Sequence, residues 1–221
     1  VKNSQFVTMA HKLKKMSYLP SRAAVWEEFK KYVHHIFNGY SNDATLDCKD
    51  TTLVVMDVVD VYSNLFTSSN YEKISELVEN ARDMNVDIIF TRWVRTAESP
   101  QDEIQKIGHW SYFVPQESNL MISAADNVII DVTTTDLFTH PKFVSKENNI
   151  KKNVVLCGAW IESCIINTAR TAVQRDHAVY IAAPASTGHW GIARYTLALI
   201  NSLYGTVVQN VRFTNLLRNK E

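Results

Sequence analysis

The residues best equipped for chemistry stand in the stretch NVVLCGAWIESCIINTART, from Asn153 to Thr171. It reads as a buried strand over Val154–Cys157, a sharp turn at Gly158, and then a helix with Cys164 near its start. From Ser163 onward, Ile165, Ile166, Ala169, Ala172 and Val173 fall at helical spacing. A cysteine in the first turn of a helix meets the positive end of the helix dipole and nearby backbone N–H groups, which favour thiolate. A nucleophile is armed in this way. The competing reading is a small buried core residue, the usual fate of a free cysteine. Other reactive groups sit at the ends of further apolar runs: Asp57 after Leu53–Met56, Thr91 and Arg92 after Val86–Phe90, and Asp131 after Val128–Ile130. A carboxylate beside a thiol can take its proton, and backbone N–H groups of a helix start can hold an oxyanion.

The elements that must carry these residues alternate between strand and helix. Further strands are expected over Ala178–Ala182 and Thr206–Val208. Helices are expected from a Ser21 cap to Phe37, over Tyr71–Met84, over Ser163–Gln174 and over Trp190–Leu203. Crossovers of this length imply a parallel sheet with helices on both faces: a three-layer α/β/α Rossmann-like fold with six strands. Ligands in such sheets bind beyond the carboxyl ends of the strands, where the residues above converge. Residues 1–50 are expected to form an N-terminal arm and helix packed on a domain of residues 51–221. The connection from Trp93 to Asp126 is long and carries Trp93, Trp110, Tyr112 and Phe113, which suit a pocket wall or a subunit contact.

Composition sets bounds on partners and location. Lys plus Arg and Asp plus Glu are balanced at 23 each, so nothing suggests a nucleic-acid groove or an anionic membrane surface. No apolar run is long enough to span a bilayer. Three cysteines (Cys48, Cys157, Cys164) form no disulfide framework and point to a reducing compartment. The first twenty residues are basic without the apolar core of a secretion signal. A cytoplasmic protein is expected, with room for a targeting segment already removed.

With these parts in place the chain resembles the isochorismatase-like cysteine hydrolases, which include nicotinamidases, N-carbamoyl amide hydrolases and isochorismatases. Leu53–Val54–Val55–Met56–Asp57, Phe90–Thr91–Arg92, Gly158–Ala159–Trp160–Ile161–Glu162–Ser163–Cys164 and Thr168–Ala169 carry the resemblance, which covers residues from about 50 to 218. It implies cleavage of a small amide or carbamoyl C–N bond with Cys164 as nucleophile and Asp57 as base. It also implies a cis Ala159–Trp160 peptide presenting the Trp160 and Cys164 N–H groups to an oxyanion. Asp131 would take the catalytic position at the end of the third strand, and Arg92, Trp93, Tyr62 and Ile161 would contact substrate. A small-molecule substrate and a homo-dimer or tetramer follow from the same likeness.

The departures are specific. The family has a lysine where the third strand here runs into Asp131; Lys142 or Lys106 would have to supply a cation from a loop. Val59 replaces the usual glutamine after Asp57, and Ile161 replaces a threonine. After the second strand only His109 offers itself as a metal ligand, so no metal and no cofactor are expected. Two rival readings remain: a vinyl-ether hydrolase that uses Asp57 without the thiol, and an inactive member kept for binding or assembly.

Overall fold

Six strands are parallel because each is separated from the next by a crossover that returns the chain to the same sheet edge. The computed structural model describes residues 22–95, 115, 117–145 and 150–215. In chain order the elements are α1 (Arg22–Asn38), β1 (Asp43–Asp47), β2 (Thr51–Met56), α2 (Ser68–Asp83), β3 (Asp87–Trp93), β4 (Val128–Val132), a one-turn α3 (Pro141–Val144), β5 (Asn153–Gly158), α4 (Ile166–Gln174), β6 (Ala178–Ser186), α5 (Trp190–Leu203), β7 (Thr206–Val208) and β8 (Asn210–Thr214). The main sheet has the order β4-β3-β2-β5-β6-β7, all parallel. The chain starts in the middle, steps outward to β4, and then crosses to the other side of β2. The strand order therefore reverses between β2 and β5.

Those two central strands are the most apolar because helices cover both of their faces. Every residue of β2 is buried, as is all of β5 after Asn153. On one face Val54, Met56, Val154 and Leu156 pack with Ile165, Ala169 and Ala172 of the α4 side and Ile200 of α5. On the other, Leu53, Val55, Val155 and Cys157 pack with Ile74, Leu77, Val78 and Ala81 of α2. Alternation along each strand, at period two, divides the side chains between these cores. α2 begins at a reciprocal cap: Thr67 Oγ1 accepts the Asn70 N–H at 3.1 Å, and Asn70 Oδ1 accepts the Thr67 N–H at 3.0 Å.

One element departs from the sequence expectation. The polar stretch after Gly39 contains β1, which pairs in parallel with β8 as a separate two-stranded sheet, from Asp43 opposite Asn210 to Asp47 opposite Thr214. This sheet ties the segment before the first main strand to the last strand of the chain. α1 packs beside α5 and leaves Trp26 and Phe29 exposed, stacked 5.5 Å apart. No helix among the described residues is long and apolar enough to cross a membrane. Ser21, the expected cap of α1, lies outside the described residues.

Candidate active site

Reversal of strand order opens a crevice where the chain leaves β2 and β5 in opposite directions. Asp57 stands on one lip and the turn from Gly158 to Cys164 on the other, with Met56 opposite Gly158 in the register. Gly158 has a φ of +105°, and a Cβ there would lie 2.0 Å from the Met56 carbonyl oxygen. Only glycine lets β5 turn this close to β2. The Ala159 N–H then donates to that same Met56 oxygen at 2.8 Å, and the Ala159–Trp160 peptide is cis. Two bonds anchor the turn to the end of β6: Ile161 N–H to the Thr187 carbonyl at 3.0 Å, and Thr187 N–H to the Gly158 carbonyl at 2.8 Å.

The helix start differs from a simple first turn. Residues Ile161–Ile165 form a π-helical turn, and α4 proper begins at Ile166. Cys164 therefore sits in a widened turn, a feature that often accompanies functional sites. Its side chain is 4% exposed. The Trp160 N–H and the Ser163 hydroxyl donate to its sulfur and favour thiolate, yet burial and the neighbouring Asp57 charge outweigh them and push the thiol well above its ordinary range. The resting group is a neutral thiol.

Asp57 is 1% exposed and has a φ of +51°, a left-handed conformation uncommon outside glycine. Its backbone N–H is held by Thr91, 3.2 Å from both the carbonyl oxygen and Oγ1. The Thr91 hydroxyl in turn donates to Asp57 Oδ1 at 2.7 Å. Burial lifts the Asp57 carboxyl to about 6, moderated by the Thr91 hydroxyl and the Cys164 thiol. Among the described residues Oδ2 is buried without a hydrogen-bond partner. Near neutral pH the pair is a carboxylate facing a neutral thiol.

Around this pair the side chains are aromatic and apolar. Tyr62 packs edge-on to Trp160 at 5.4 Å, and Trp160 lies 4.9 Å from the His189 ring. Burial, then the charges of Asp57 and Cys164, raise the Tyr62 hydroxyl above its usual range. Trp93 and Ile161, both buried, share the apolar cluster that holds Cys164. Glu162 turns away and accepts the His189 N–H at 2.7 Å, capping the start of α5. Gly188 makes room for it, since a Cβ there would meet Glu162 Oε2 at 2.0 Å.

Arg92 and Asp131 do not join this group. β4 continues to Val132, with Arg92 opposite Asp131 and Trp93 opposite Val132. Alternation sends Trp93, Ile130 and Val132 into the cluster with Cys164 and sends Arg92 and Asp131 to the other face of the sheet. There the two form a two-pronged ion pair, at 2.7 Å and 3.0 Å. Val132, 1% exposed, is the end-of-strand residue on the Cys164 face, and ending the strand at Ile130, two residues short, hid it. Lys142 is exposed on α3, while Lys106, His109, Trp110, Tyr112 and Phe113 lie outside the described residues. Thr91, a strand-end residue in the sequence, is placed on Asp57 by its hydrogen bond; Ser163 had no claim from residue type alone, and adjacency to Cys164 singles it out. Among the described residues no three His, Cys, Asp or Glu side chains cluster as metal ligands.

An open parallel sheet covered by helices on both faces, with a thiol and a carboxyl at its switch point, defines the class as a three-layer α/β/α fold. The family model of the isochorismatase domain matches residues 51–199, and the chain belongs to the isochorismatase family. Among solved structures it is similar to a cysteine hydrolase from Pseudomonas syringae pv. phaseolicola 1448A, at 18% identity and a TM-score of 0.60, over 74% of this chain and 90% of that one. It is likewise similar to the YcaC gene product of Escherichia coli, an octameric hydrolase of unknown specificity, at 17% identity and a TM-score of 0.60, over 74% and 76% of the two chains. A putative isochorismatase from Burkholderia xenovorans LB400 matches at 16% identity and a TM-score of 0.57, over 72% and 83%. At these identities the likeness concerns the fold. No protein of curated function matches the chain.

Proposed function

We propose that the protein hydrolyses a small amide or carbamoyl compound, with Cys164 as nucleophile and Asp57 as its base. One observation carries this reading: a buried carboxyl, Asp57, and a buried thiol, Cys164, stand on the two lips of the crevice between β2 and β5. Above pH 6 Asp57 is a carboxylate able to accept the thiol proton as sulfur attacks the carbonyl. Backbone N–H groups of Trp160 and Cys164 would receive the oxyanion. Asp57 then returns its proton to the departing nitrogen as the C–N bond breaks, leaving a thioester. Water, deprotonated by Asp57, attacks the thioester and frees the acid and the thiol. Among the described residues no cation stands on this face to store a thiolate, and Val132 occupies the strand end, so proton transfer is coupled to attack.

The raised Asp57 carboxyl also suits a second reading, a vinyl-ether hydrolase in which protonated Asp57 donates to substrate and the thiol is dispensable. Val132 supports the third, an inactive binding member. A screen of small amides, carbamoyl compounds and vinyl ethers separates them. With Cys164→Ala and Asp57→Asn beside wild type, loss in both variants with a thioester adduct in the intact mass supports the amide reading. Retention in Cys164→Ala with loss in Asp57→Asn replaces it with the second. Silence of the wild type throughout leaves the third.

Self-association belongs to the same proposal. Ile192, Tyr195, Leu199 and Leu203 form an exposed apolar stripe along α5, beside the exposed Trp26–Phe29 stack of α1. A patch of this kind supports burial against a second copy. Light scattering on Ile192→Asp together with Leu199→Asp tests it, with a fall in mass expected. The described cysteines are all free, which supports a reducing, cytoplasmic setting.

A further inference from the structure

Between Asp57 and Tyr62 the chain passes through a clasp of exposed polar groups. Asp57 ends β2 in its left-handed conformation, Val58 and Val59 are buried, and a short helical turn from Asp60 to Leu65 carries Tyr62. Residues 119–121, near the end of the connection from Trp93 to Asp126, lie antiparallel against this segment, with Val59 opposite Leu120. Two backbone bonds close the ribbon: the Asp60 N–H to the Asn119 carbonyl and the Met121 N–H to the Val58 carbonyl, both at 2.9 Å.

Asp60 adds its carboxylate to the ribbon. Oδ1 accepts the Asn119 backbone N–H at 3.1 Å and the Val61 N–H at 2.8 Å, and Oδ2 accepts the Asn119 amide at 2.9 Å. One side chain thus bridges both strands of the ribbon and the start of the turn. The bonds from Asn119 hold its carboxyl below the usual range although it is open to solvent. Exposed polar pairs contribute little to stability, so the consequence of this one lies in what it holds in place. The far end of the turn is also held. The Thr187 hydroxyl donates to the Leu65 carbonyl at 2.8 Å, and the same residue anchors the Gly158 turn. Tyr62 lies between the two anchors, half-buried, edge-on to Trp160 and bordering both cores.

We propose that Asp60 is a positioning residue of the site: by clasping Asn119 it fixes the segment from Val58 to Tyr62, and so holds Tyr62 against Trp160 as a cover on the buried Asp57–Cys164 pair. The charges of both members act on the Tyr62 hydroxyl, which puts it beside them. The proposal rests on the pairing of Asp57 with Cys164. Thiol reactivity, not turnover, reads it out, so its failure and that of the hydrolysis reading are separable. With the clasp open, Tyr62 moves aside and water reaches the pair. A better solvated thiol ionises at lower pH and meets reagent more readily.

Iodoacetamide labelling of Cys164 against pH, located by peptide mass, tests this in the whole protein. Asp60→Ala removes a negative charge and Asn119→Asp adds one, yet both open the clasp. Charge alone would move the thiol in opposite directions; loss of the clasp moves both variants the same way. Each should label at least about fivefold faster than wild type at pH 8, with the rise of the profile shifted to lower pH. The melting temperature should stay within a few degrees. Asp60→Asn combined with Asn119→Asp rebuilds the bridge with donor and acceptor exchanged, and should return the rate to within about twofold of wild type. Circular dichroism checks the fold of each variant. Asn119→Ala, which removes only the amide prong, serves where a single variant does not fold, with a rise of about twofold expected. Unchanged labelling in folded single variants, opposite shifts in the two, or no recovery in the combined variant would overturn the proposal.

Discussion

Two faces of one strand end carry opposite electrostatic arrangements. On one, Asp57 and Cys164 are buried together with Val132 and Trp93, and no described cation neutralises the acid. On the other, Arg92 and Asp131 neutralise each other at partial exposure, 33% and 24%. The consequence is visible in ionisation. Asp57 is lifted to about 6 by burial, while the bonds from Thr91 and Cys164 only partly offset that rise. Arg92, next to Thr91 in sequence, counts for little at Asp57 because the pleat points it to the other face of the sheet. Acid and thiol are therefore tuned by burial and by each other.

The strongest way to break this contrast is to remove the thiol. If the amide reading holds, Cys164→Ala should lower turnover by roughly 10³-fold or more while leaving the melting temperature within a few degrees. Steady-state assay beside thermal melting checks both halves. Next in size is Gly158→Ala, which keeps every reactive group and attacks the scaffold. Its Cβ would collide with the Met56 carbonyl at a φ of +105°, so a loss of about 3 kcal/mol or more is expected in urea unfolding.

Val132→Lys moves a cation onto the face where no described residue supplies one. It should lower the Asp57 carboxyl by about 1–3 pH units and bring the Cys164 thiol down with it, at a stability cost of about 2–4 kcal/mol for the buried ammonium. Alkylation rates against pH, and urea unfolding, read the two effects. Asp131→Asn should do least. It breaks a partly solvated pair worth at most about 1 kcal/mol and should leave the alkylation profile of Cys164 where it was. A shift of that profile as large as the one from Val132→Lys would erase the distinction between the faces.

Stability against pH follows from the sign of the Asp57 shift. Its carboxyl titrates at about 6 in the folded chain against an ordinary 3.8, so its ionisation opposes folding. The penalty is absent below pH 4, grows between 4 and 6, and is complete above. Asp57→Asn should thus stabilise the protein by up to about 3 kcal/mol at pH 7.5 and by almost nothing at pH 4. Thermal melts at the two values check it.

The central sheet is legible in the sequence because β2 and β5 are buried on both faces and read as unbroken apolar runs. Strand ends plus the switch-point rule are enough to bring Asp57 and the Gly158–Cys164 turn together. Where a single residue decides the outcome, legibility fails. Ending the third strand at Ile130 makes Asp131 the strand-end residue, whereas a strand that runs on to Val132 holds Asp131 inside it, on the face opposite Ile130 and Val132. Pairing of β1 with β8 is likewise hidden, since both segments are short and polar and lie at opposite ends of the described chain. The π-helical turn under Cys164 leaves no periodic signal, because five residues are too few to set one apart from α-helical spacing.

The central claim is that Asp57 and Cys164 form one coupled pair, with no cation on their face among the described residues. Iodoacetamide labelling of Cys164 against pH, in wild type and Asp57→Asn, tests it most directly. A neutral buried thiol beside a carboxylate should label slowly at pH 7–8 in wild type and accelerate only above pH 9. Removing the Asp57 charge should move that rise to lower pH while hydrolysis is lost. Fast labelling of the wild type well below pH 8, or a profile indifferent to Asp57→Asn, would contradict the account.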